Sequence, residues 1–571
     1  MRFKFLFCLL LIVNILAAQN KPKYPVYPAP VKFPIYLSAT FGELRTNAFH
    51  AGVDIKTGGE IGKRVYAVAD GYVSRIGVSP YGYGNAVYIT HNDGYTSVYA
   101  HLERFNDKIA KYVKSKQLAS KSFAQSLYLE NGEIPVKEGE IIGYSGDTGG
   151  SGGPHLHYEL RDANQHPLNP YFFGFKIDDK IKPTINGIAL YPKELSSVNG
   201  KDSESYFKLD NHNGNYTVEK GEIKVNGTVF FGISAYDQAD GTSNKNGVNS
   251  IELYADNRLI FNILFNEYSY DETRYVNSLI DYKKFIDDKI RYVRTEIDEY
   301  NILDLYGEKN GSVTLQDGDR VEMKFVVKDY FGNTATVNFT LVGAKPLEEY
   351  SDNQYSRSYY RVDGKSEVDV NLDGFTATIP EKAFYKFEYV LARQLDTISN
   401  IASDYAYLLG LQDIPVQKNI EIKIRPAEQY ADSDKLYIVS VDKKGRFSAV
   451  GGKMVDGMMT VKVRNFGTYA LAIDNKAPQI TPENFKNNSK VIKCKRLKIK
   501  IKDTESGISK YNIYLNGKWV VGAYDAKNDL LFYDVDDFLK LGNNKMEIVV
   551  TDAVGNERHC IYNIIREKPI K

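Results

Sequence analysis

Eight histidines occur in this chain of 571 residues, and three of them, with one aspartate, fall into two compact groups: His50-Ala-Gly-Val-Asp54 and His155-Leu-His157. Imidazole nitrogen and carboxylate oxygen are donors that borderline Zn²⁺ accepts, and catalytic zinc sites use three protein donors so that a fourth position stays open. The grouping points to hydrolytic metal chemistry. Had His155-Leu-His157 been helical, its two rings would diverge. On a strand they share one face while Leu156 turns into the core. Gly52, with Val53 and Ile55 on either side of Asp54, favours a bend entering a strand. No histidine is followed by glutamate, so the helical His-Glu-x-x-His arrangement with its glutamate base is excluded. Proton handling must fall to another group, and His101, in Ser97-Val-Tyr-Ala-His-Leu102, is best placed for it.

The order His-x-Gly-x-Asp, Tyr-x-His-Leu and Gly-Pro-His-Leu-His-Tyr-Glu159 resembles the lysostaphin-type (LytM-like) zinc metallopeptidases of bacterial cell walls. Val65-Tyr-Ala-Val-Ala-Asp-Gly-Tyr-Val73, Tyr83-Gly-Asn-Ala-Val-Tyr-Ile-Thr-His91 and Val136-Lys-Glu-Gly-Glu-Ile-Ile-Gly143 are similar to that family's glycine-punctuated strands. The resemblance spans residues 36 to 172. It implies a small antiparallel β catalytic domain of the duplicated hybrid-motif type, with one zinc ion held by His50, Asp54 and His157. It also implies active-site roles for His101 and His155: activating water, stabilising the oxyanion and protonating the leaving amine. The substrate implied is the peptide stem or cross-bridge of peptidoglycan. Two competing functions remain: a non-catalytic module that activates a separate wall amidase, and a zinc protease of exported proteins. All five family positions are intact, which argues against the first.

The remaining histidines read as structural or exposed. His91 lies in a turn before a strand, His166 in the polar turn Arg161–Pro167, and His212 and His559 far along the chain. Asp147 and Arg161 flank the motifs and read as solvated charges. Between His101 and Val136 the stretch 104–134 inserts Ile109, Val113, Leu118, Phe123 and Leu127 at helical spacing, with lysines at 108, 111, 114, 116 and 121. Two helices, or a helical hairpin forming a wall of the groove, are expected there.

The balance of 73 Lys and Arg against 72 Asp and Glu gives no global attraction to nucleic acid. Residues 1–18 have the basic start, apolar run and small-residue end of a secretory signal peptide, too short for a comfortable membrane span. Export to the periplasm or cell envelope is expected. Cys494 and Cys560 would then remain, as a disulfide or as two buried thiols.

Length suggests several domains. The expected mainly β order is a zinc endopeptidase domain at 19–175, an immunoglobulin-like β-sandwich at 176–345, a β-rich unit of unassigned type at 346–476 and a second immunoglobulin-like sandwich at 477–571. The two sandwiches echo each other: Ala235-Tyr-Asp237 and Val326-Val-Lys-Asp-Tyr-Phe-Gly-Asn333 recur as Ile501-Lys-Asp503 and Val550-Thr-Asp-Ala-Val-Gly-Asn556. The later modules carry no visible catalytic constellation. They would position the enzyme against wall, envelope protein or partner, space it from an anchoring point, or serve a purely structural role in shielding or stabilising the catalytic domain.

Overall fold

The computed structural model describes residues 24–349, 358–396, 398–492 and 494–567. Residues 1–18, read from sequence as a signal peptide, lie outside them. Among the described residues no helix is long and apolar enough to cross a membrane. The architecture is mainly β.

The first domain is an antiparallel sheet of seven principal strands: β1 (Leu37–Ala39), β2 (Val53–Lys56), β3 (Gly71–Val78), β4 (Ala86–His91), β5 (Thr96–Ala100), β6 (Gln125–Tyr128) and β7 (His155–Arg161). Their order across the sheet is β1-β2-β7-β5-β4-β3-β6. Consecutive neighbours such as β3-β4-β5 are joined by short turns, whereas β7 enters between β2 and β5 from far along the chain. That insertion places His157 directly opposite Asp54 on one side and Ala100 on the other. One face of the sheet is apolar and closed by Val53, Ile55, Ile89, Tyr99, Leu156 and Tyr158.

The insert differs from the expectation. It forms one helix, α1 (Asp107–Ser120), whose Asn106 side chain caps Ile109 N–H and whose buried face is Ile109, Val113 and Gln117. Lys121 then turns into the left-handed region, which ends the helix. Phe123 and Leu127 belong to no second helix, because Gln125–Tyr128 is recruited as the edge strand β6 beside β3. An exposed edge of β3 offered unpaired backbone groups, and satisfying them outweighed a weak helical period.

The following unit is built around a strand of 22 residues, Asn215–Tyr236. Its late half pairs with Thr184–Pro192 and its early half runs parallel to Thr334–Gly343, so one strand serves two sheets. The core of this unit takes in Phe41 and Phe49 from the first domain. Residues 359–473 form a six-stranded and a five-stranded sheet around Phe375, Tyr407 and Leu471. Residues 479–566 form four- and five-stranded sheets around Leu497, Ile513 and Ile548. Cys494 and Cys560 are not joined to each other.

Candidate metal centre and groove

The alternation of β7 explains the site. Leu156, Tyr158 and Leu160 face the core, while His155, His157, Glu159 and Arg161 share the opposite face. That face is covered too, so β7 carries one buried apolar side and one buried ionic side. On β2, Asp54 stands beside His157. His50 reaches the same point from the bend before β2. Gly52 makes that bend possible: a Cβ there would lie 2.1 Å from the carbonyl oxygen of Tyr158, so any side chain would push the bend away from β7.

His50 Nε2, Asp54 Oδ1 and His157 Nδ1 converge, with mutual separations of 3.0, 3.0 and 2.8 Å. Their tautomers are fixed from behind. His50 Nδ1–H donates to the Thr40 carbonyl at 2.8 Å, and His157 Nε2–H donates to Glu159 Oε1 at 2.7 Å. Two bare nitrogen lone pairs and a carboxylate oxygen therefore face one another inside the protein, an arrangement that needs a cation. Tetrahedral zinc at about 2.0–2.1 Å from each donor would want edges of about 3.3 Å, so the residues fit such an ion after a small outward adjustment. Electrostatics agree. Burial resists charge on every member, yet the neighbouring histidines hold the Asp54 carboxyl well below its usual range. Burial likewise opposes protonation of His157, but hydrogen bonds to Asp54 and Glu159 lift it to about 9, so without a metal ion a proton on Nδ1 takes the cation's place between the donors, and metal binding would displace it. Burial lowers His50 in spite of Asp54.

Glu159 organises the layer behind the donors. It is fully buried and accepts from His157 Nε2–H and the Tyr83 hydroxyl on one oxygen, and from Arg161 Nε–H (2.7 Å) and the Tyr270 hydroxyl (3.0 Å) on the other. Against the cost of burial, Arg161 and His157 hold its carboxyl down at about 2. Tyr83 also stacks on the His157 ring at 5.3 Å. On the solvent side, Arg45 donates to Asp54 Oδ2 at 2.8 Å.

His101 and His155 stand next to the donors, with ring centroids 4.8 Å apart. Each is oriented by a backbone carbonyl: His101 Nδ1–H donates to Thr148 O at 2.9 Å and His155 Nδ1–H to Gly153 O at 2.8 Å. Both Nε2 atoms are left free of those bonds, and that of His155 lies 3.5 Å from Asp54 Oδ1. His101 ends β5 at φ 58°, a left-handed conformation uncommon for a non-glycine residue and frequent at functional sites. Burial, helped by the neighbouring His157 and His155 rings, lowers its pKa to about 3. The ring is therefore neutral and available as an acceptor.

These groups open onto a groove of about 580 Å³, lined by His101 and His155 with Ser38, Arg45, Lys56 and the glycine-rich loop Gly150–Pro154. The 104–134 insert contributes none of the lining residues, so it is not a groove wall. Instead, the C-terminal unit approaches the rim: Lys527 Nζ contacts the Asp147 carbonyl, the Asp147 carboxylate (2.8 Å) and the Ser151 carbonyl (3.1 Å). Asp536 of that unit also pairs with Lys114 of α1 at 2.6 Å.

The structure thus brings His50, Asp54, His157, His101 and His155 into one place. His91 lies apart, bonded to Ser97 Oγ at 2.7 Å and packed against the tilted ring of Tyr27. Arg161 is not a solvated charge, since it is buried against Glu159. The sequence reading also missed Arg45, Tyr83, Glu159 and Tyr270. For Glu159 and Arg161 the period-two run from His155 was a usable signal. For Arg45, Tyr83 and Tyr270 no local pattern exists.

The buried His-Asp-His cluster beside an open groove, with two further oriented histidines next to it, is a group that could hold a metal ion. Residues 48–127 and 122–170 match peptidase family M23, and the groove-bearing domain belongs to that family. DD-carboxypeptidase/endopeptidase Mpg of Neisseria meningitidis serogroup B is 38% identical over 127 residues, 22% of this chain and 23% of that protein. Lysostaphin of Staphylococcus simulans is 35% identical over 111 residues, 19% of this chain and 17% of that protein. The match therefore spans about a quarter or less of either relative. The crystallised catalytic domain of the same lysostaphin is 28% identical, covering 24% of this chain and 91% of that domain, with a TM-score of 0.19. Residues 360–474 match a Zu5-like domain, which gives a type to the β-rich unit left unassigned by sequence.

Proposed function

We propose that the protein is an exported zinc endopeptidase that hydrolyses peptide cross-links of peptidoglycan, with His50, Asp54 and His157 as zinc ligands. The observation that carries this reading is the convergence of three donor atoms, each with its proton-bearing or second polar atom engaged elsewhere, beside two histidines whose Nδ1–H groups are committed to backbone carbonyls so that their Nε2 atoms face the donor cluster and the groove. When bound there, zinc supplies a water of pKa near 7 and a Lewis acid for the scissile carbonyl. Neutral His101 accepts a proton at Nε2 from the attacking water, since its Nδ1–H is committed to Thr148. The proton taken up by His101 is the one that would pass to the leaving amine, and His155, pinned to Gly153 through Nδ1–H, would donate a hydrogen bond to developing negative charge when its Nε2 also carries a proton. Glu159 holds the His157 tautomer, and Arg45 holds the second oxygen of Asp54 away from the donor centre.

The named activities of the Mpg and lysostaphin relatives support a wall-peptide substrate. The domain partition proposed is 19–175, 176–345, 346–476 and 477–571, with a cleaved leader ahead of it. The test is digestion of purified sacculi by zinc-loaded protein, followed by mass spectrometry of the muropeptides. Loss of cross-linked dimers with new amine termini is expected, and it should vanish in His157→Ala. Folded, zinc-loaded protein that leaves every cross-link intact would refute the reading, and digestion of ordinary proteins in its place would move the function to a general exported protease.

A further inference from the structure

The echo between the two sandwich units has a structural counterpart outside the groove. In each, the first echoed aspartate and the aspartate of the Asp-x-x-Gly-Asn turn meet a third from the segment that enters the unit. These triads are Asp179, Asp237 and Asp329, and Asp474, Asp503 and Asp552, with ligand atoms within 4.8 Å of one another. The turn asparagine ties each together. Asn333 Nδ2 donates to Asp329 Oδ2 (2.6 Å) and the Asp179 carbonyl (3.2 Å), and Asn556 Nδ2 to Asp552 Oδ2 (2.8 Å) and the Asp474 carbonyl (2.8 Å).

The two triads differ in how their charge is met. In the last unit, Asp474 Oδ2 accepts from the Ser506 hydroxyl at 2.6 Å and from Ser506 N–H at 3.2 Å, and the Lys476 charge acts on both Asp474 and Asp503. In the earlier unit the residues at those offsets are Asp240 and Ile181. The side-chain charges acting on Asp179 and Asp237 are those of other aspartates. Asp237 is 5% exposed and its Oδ1 has no hydrogen-bond partner. Asn246, 2% exposed, exchanges both backbone hydrogen bonds with Asp237 (3.0 and 2.8 Å), yet neither polar atom of its side chain is paired. Directly opposed residues of an antiparallel bridge project to the same face, so the Asn246 and Asp237 side chains leave this bridge on the same side. An unpaired buried carboxylate oxygen and an unpaired buried amide are both costly, and together they ask for a ligand.

We propose that Asp179, Asp237 and Asp329, with the Asn246 amide oxygen, bind a calcium ion at the junction between the groove-bearing domain and the β unit that follows. The donors are all hard oxygens, with no imidazole or thiolate, which disfavours zinc. Three carboxylates from separate segments in a mostly buried pocket suit the irregular, higher coordination of calcium better than the hydrated octahedron of magnesium. The ion would tie the connecting segment to the unit that supplies Tyr270 to Glu159 and whose core takes in Phe41 and Phe49.

The experiment uses the full protein, stripped of calcium over an immobilised chelator and re-loaded with zinc. CaCl₂ is titrated calorimetrically, with thermal unfolding followed in parallel, in wild type, Asp237→Asn, Asp329→Asn and Asp474→Asn. Expected is saturable one-to-one binding that raises the unfolding midpoint, lost in Asp237→Asn and Asp329→Asn and kept in Asp474→Asn. Without calcium, Asp237→Asn should unfold close to the wild-type midpoint, because burial and the neighbouring Asp179 and Asp329 already hold the Asp237 carboxyl up at about 8 and largely uncharged; that also shows the variant folded. No saturable binding up to about 10 mM CaCl₂, beyond the roughly 0.1–1 mM range of extracellular calcium modules, would overturn the proposal. Binding that survives in Asp237→Asn, or tighter binding of magnesium, would overturn it equally.

Discussion

Replacing Glu159 by glutamine is the sharpest probe of the layer behind the metal donors. The carboxylate is fully buried and accepts from four groups: His157 Nε2–H, the Tyr83 and Tyr270 hydroxyls and Arg161 Nε–H. An amide keeps one acceptor oxygen. If that oxygen stays with His157, the NH₂ group confronts the Arg161 and Tyr270 donors, and Arg161 is left as a buried charge without its counter-ion. Removing one partner of a buried pair costs about 3–5 kcal/mol. At about 2–4 °C per kcal/mol for a domain of this size, metal-free Glu159→Gln should unfold about 6–20 °C below wild type. Loss of the carboxylate behind a ligating histidine should also weaken zinc about 10–100-fold. Melting is measured on metal-free protein so that ligand stabilisation does not mix the two effects, and affinity by competition with a chelating dye. The double variant Glu159→Gln/Arg161→Met removes the orphaned charge, so it should recover much of the stability and little of the zinc affinity. A glutamine variant within about 1 kcal/mol of wild type and with unchanged zinc affinity would refute the account.

Gly52→Ala puts a methyl group 2.1 Å from the Tyr158 carbonyl, which must part β2 from β7. It should cost at least about 1–3 kcal/mol and weaken zinc binding, read by thermal melts and dye competition. Glu388, in the Zu5-like unit, is pushed up to about 7 by burial, with Asp298 adding to it. A carboxyl raised when folded favours the native state while protonated, so stability is full below about pH 4.5 and falls as pH rises through 7, by at most about 3 kcal/mol. Glu388→Gln should flatten that part of the urea-stability profile, and a profile unchanged by the substitution would remove Glu388 as its cause. Lys527→Ala removes the contacts on Asp147 and Ser151. Amide hydrogen exchange across residues 147–153 should speed up while zinc affinity stays unchanged; equal exchange rates would show that the loop holds itself.

What could be read from the sequence follows the range of the interactions concerned. Donor types and the period-two spacing of His155 and His157 are local, so the geometry of β7 could be anticipated, and the same period continues unremarked to Glu159 and Arg161. Arg161 read as a surface charge because nothing within the motif indicates that Tyr270, 109 residues on, covers it. The insert misled for a related reason. Its apolar spacing is compatible with helix, but the left-handed turn at Lys121 and the open edge of β3 decide that Gln125–Tyr128 is a strand. The Asp-x-x-Gly-Asn turns were visible as a repeat, whereas their meeting with Asp179 and Asp474 depends on how each connecting segment folds back.

The groove is therefore not the property of one domain. The hairpin Leu44–Phe49 leads into His50 and carries Arg45, and its Phe49 is packed against Phe265 and Tyr268 of the next unit, with Phe49 N–H held by Thr273 Oγ1 at 2.9 Å. The same unit sends Tyr270 to Glu159 on the opposite side of the donor cluster. Two of the three donors are thus braced through it: His50 by the approach of its chain, His157 through Glu159. The C-terminal unit, last in sequence, holds the loop that positions His101 through Thr148 and His155 through Gly153. The proposed metal donors and the two histidines proposed to handle protons are braced by different parts of the chain, so a disturbance of the first β unit should act on metal affinity, and one of the last unit on any turnover.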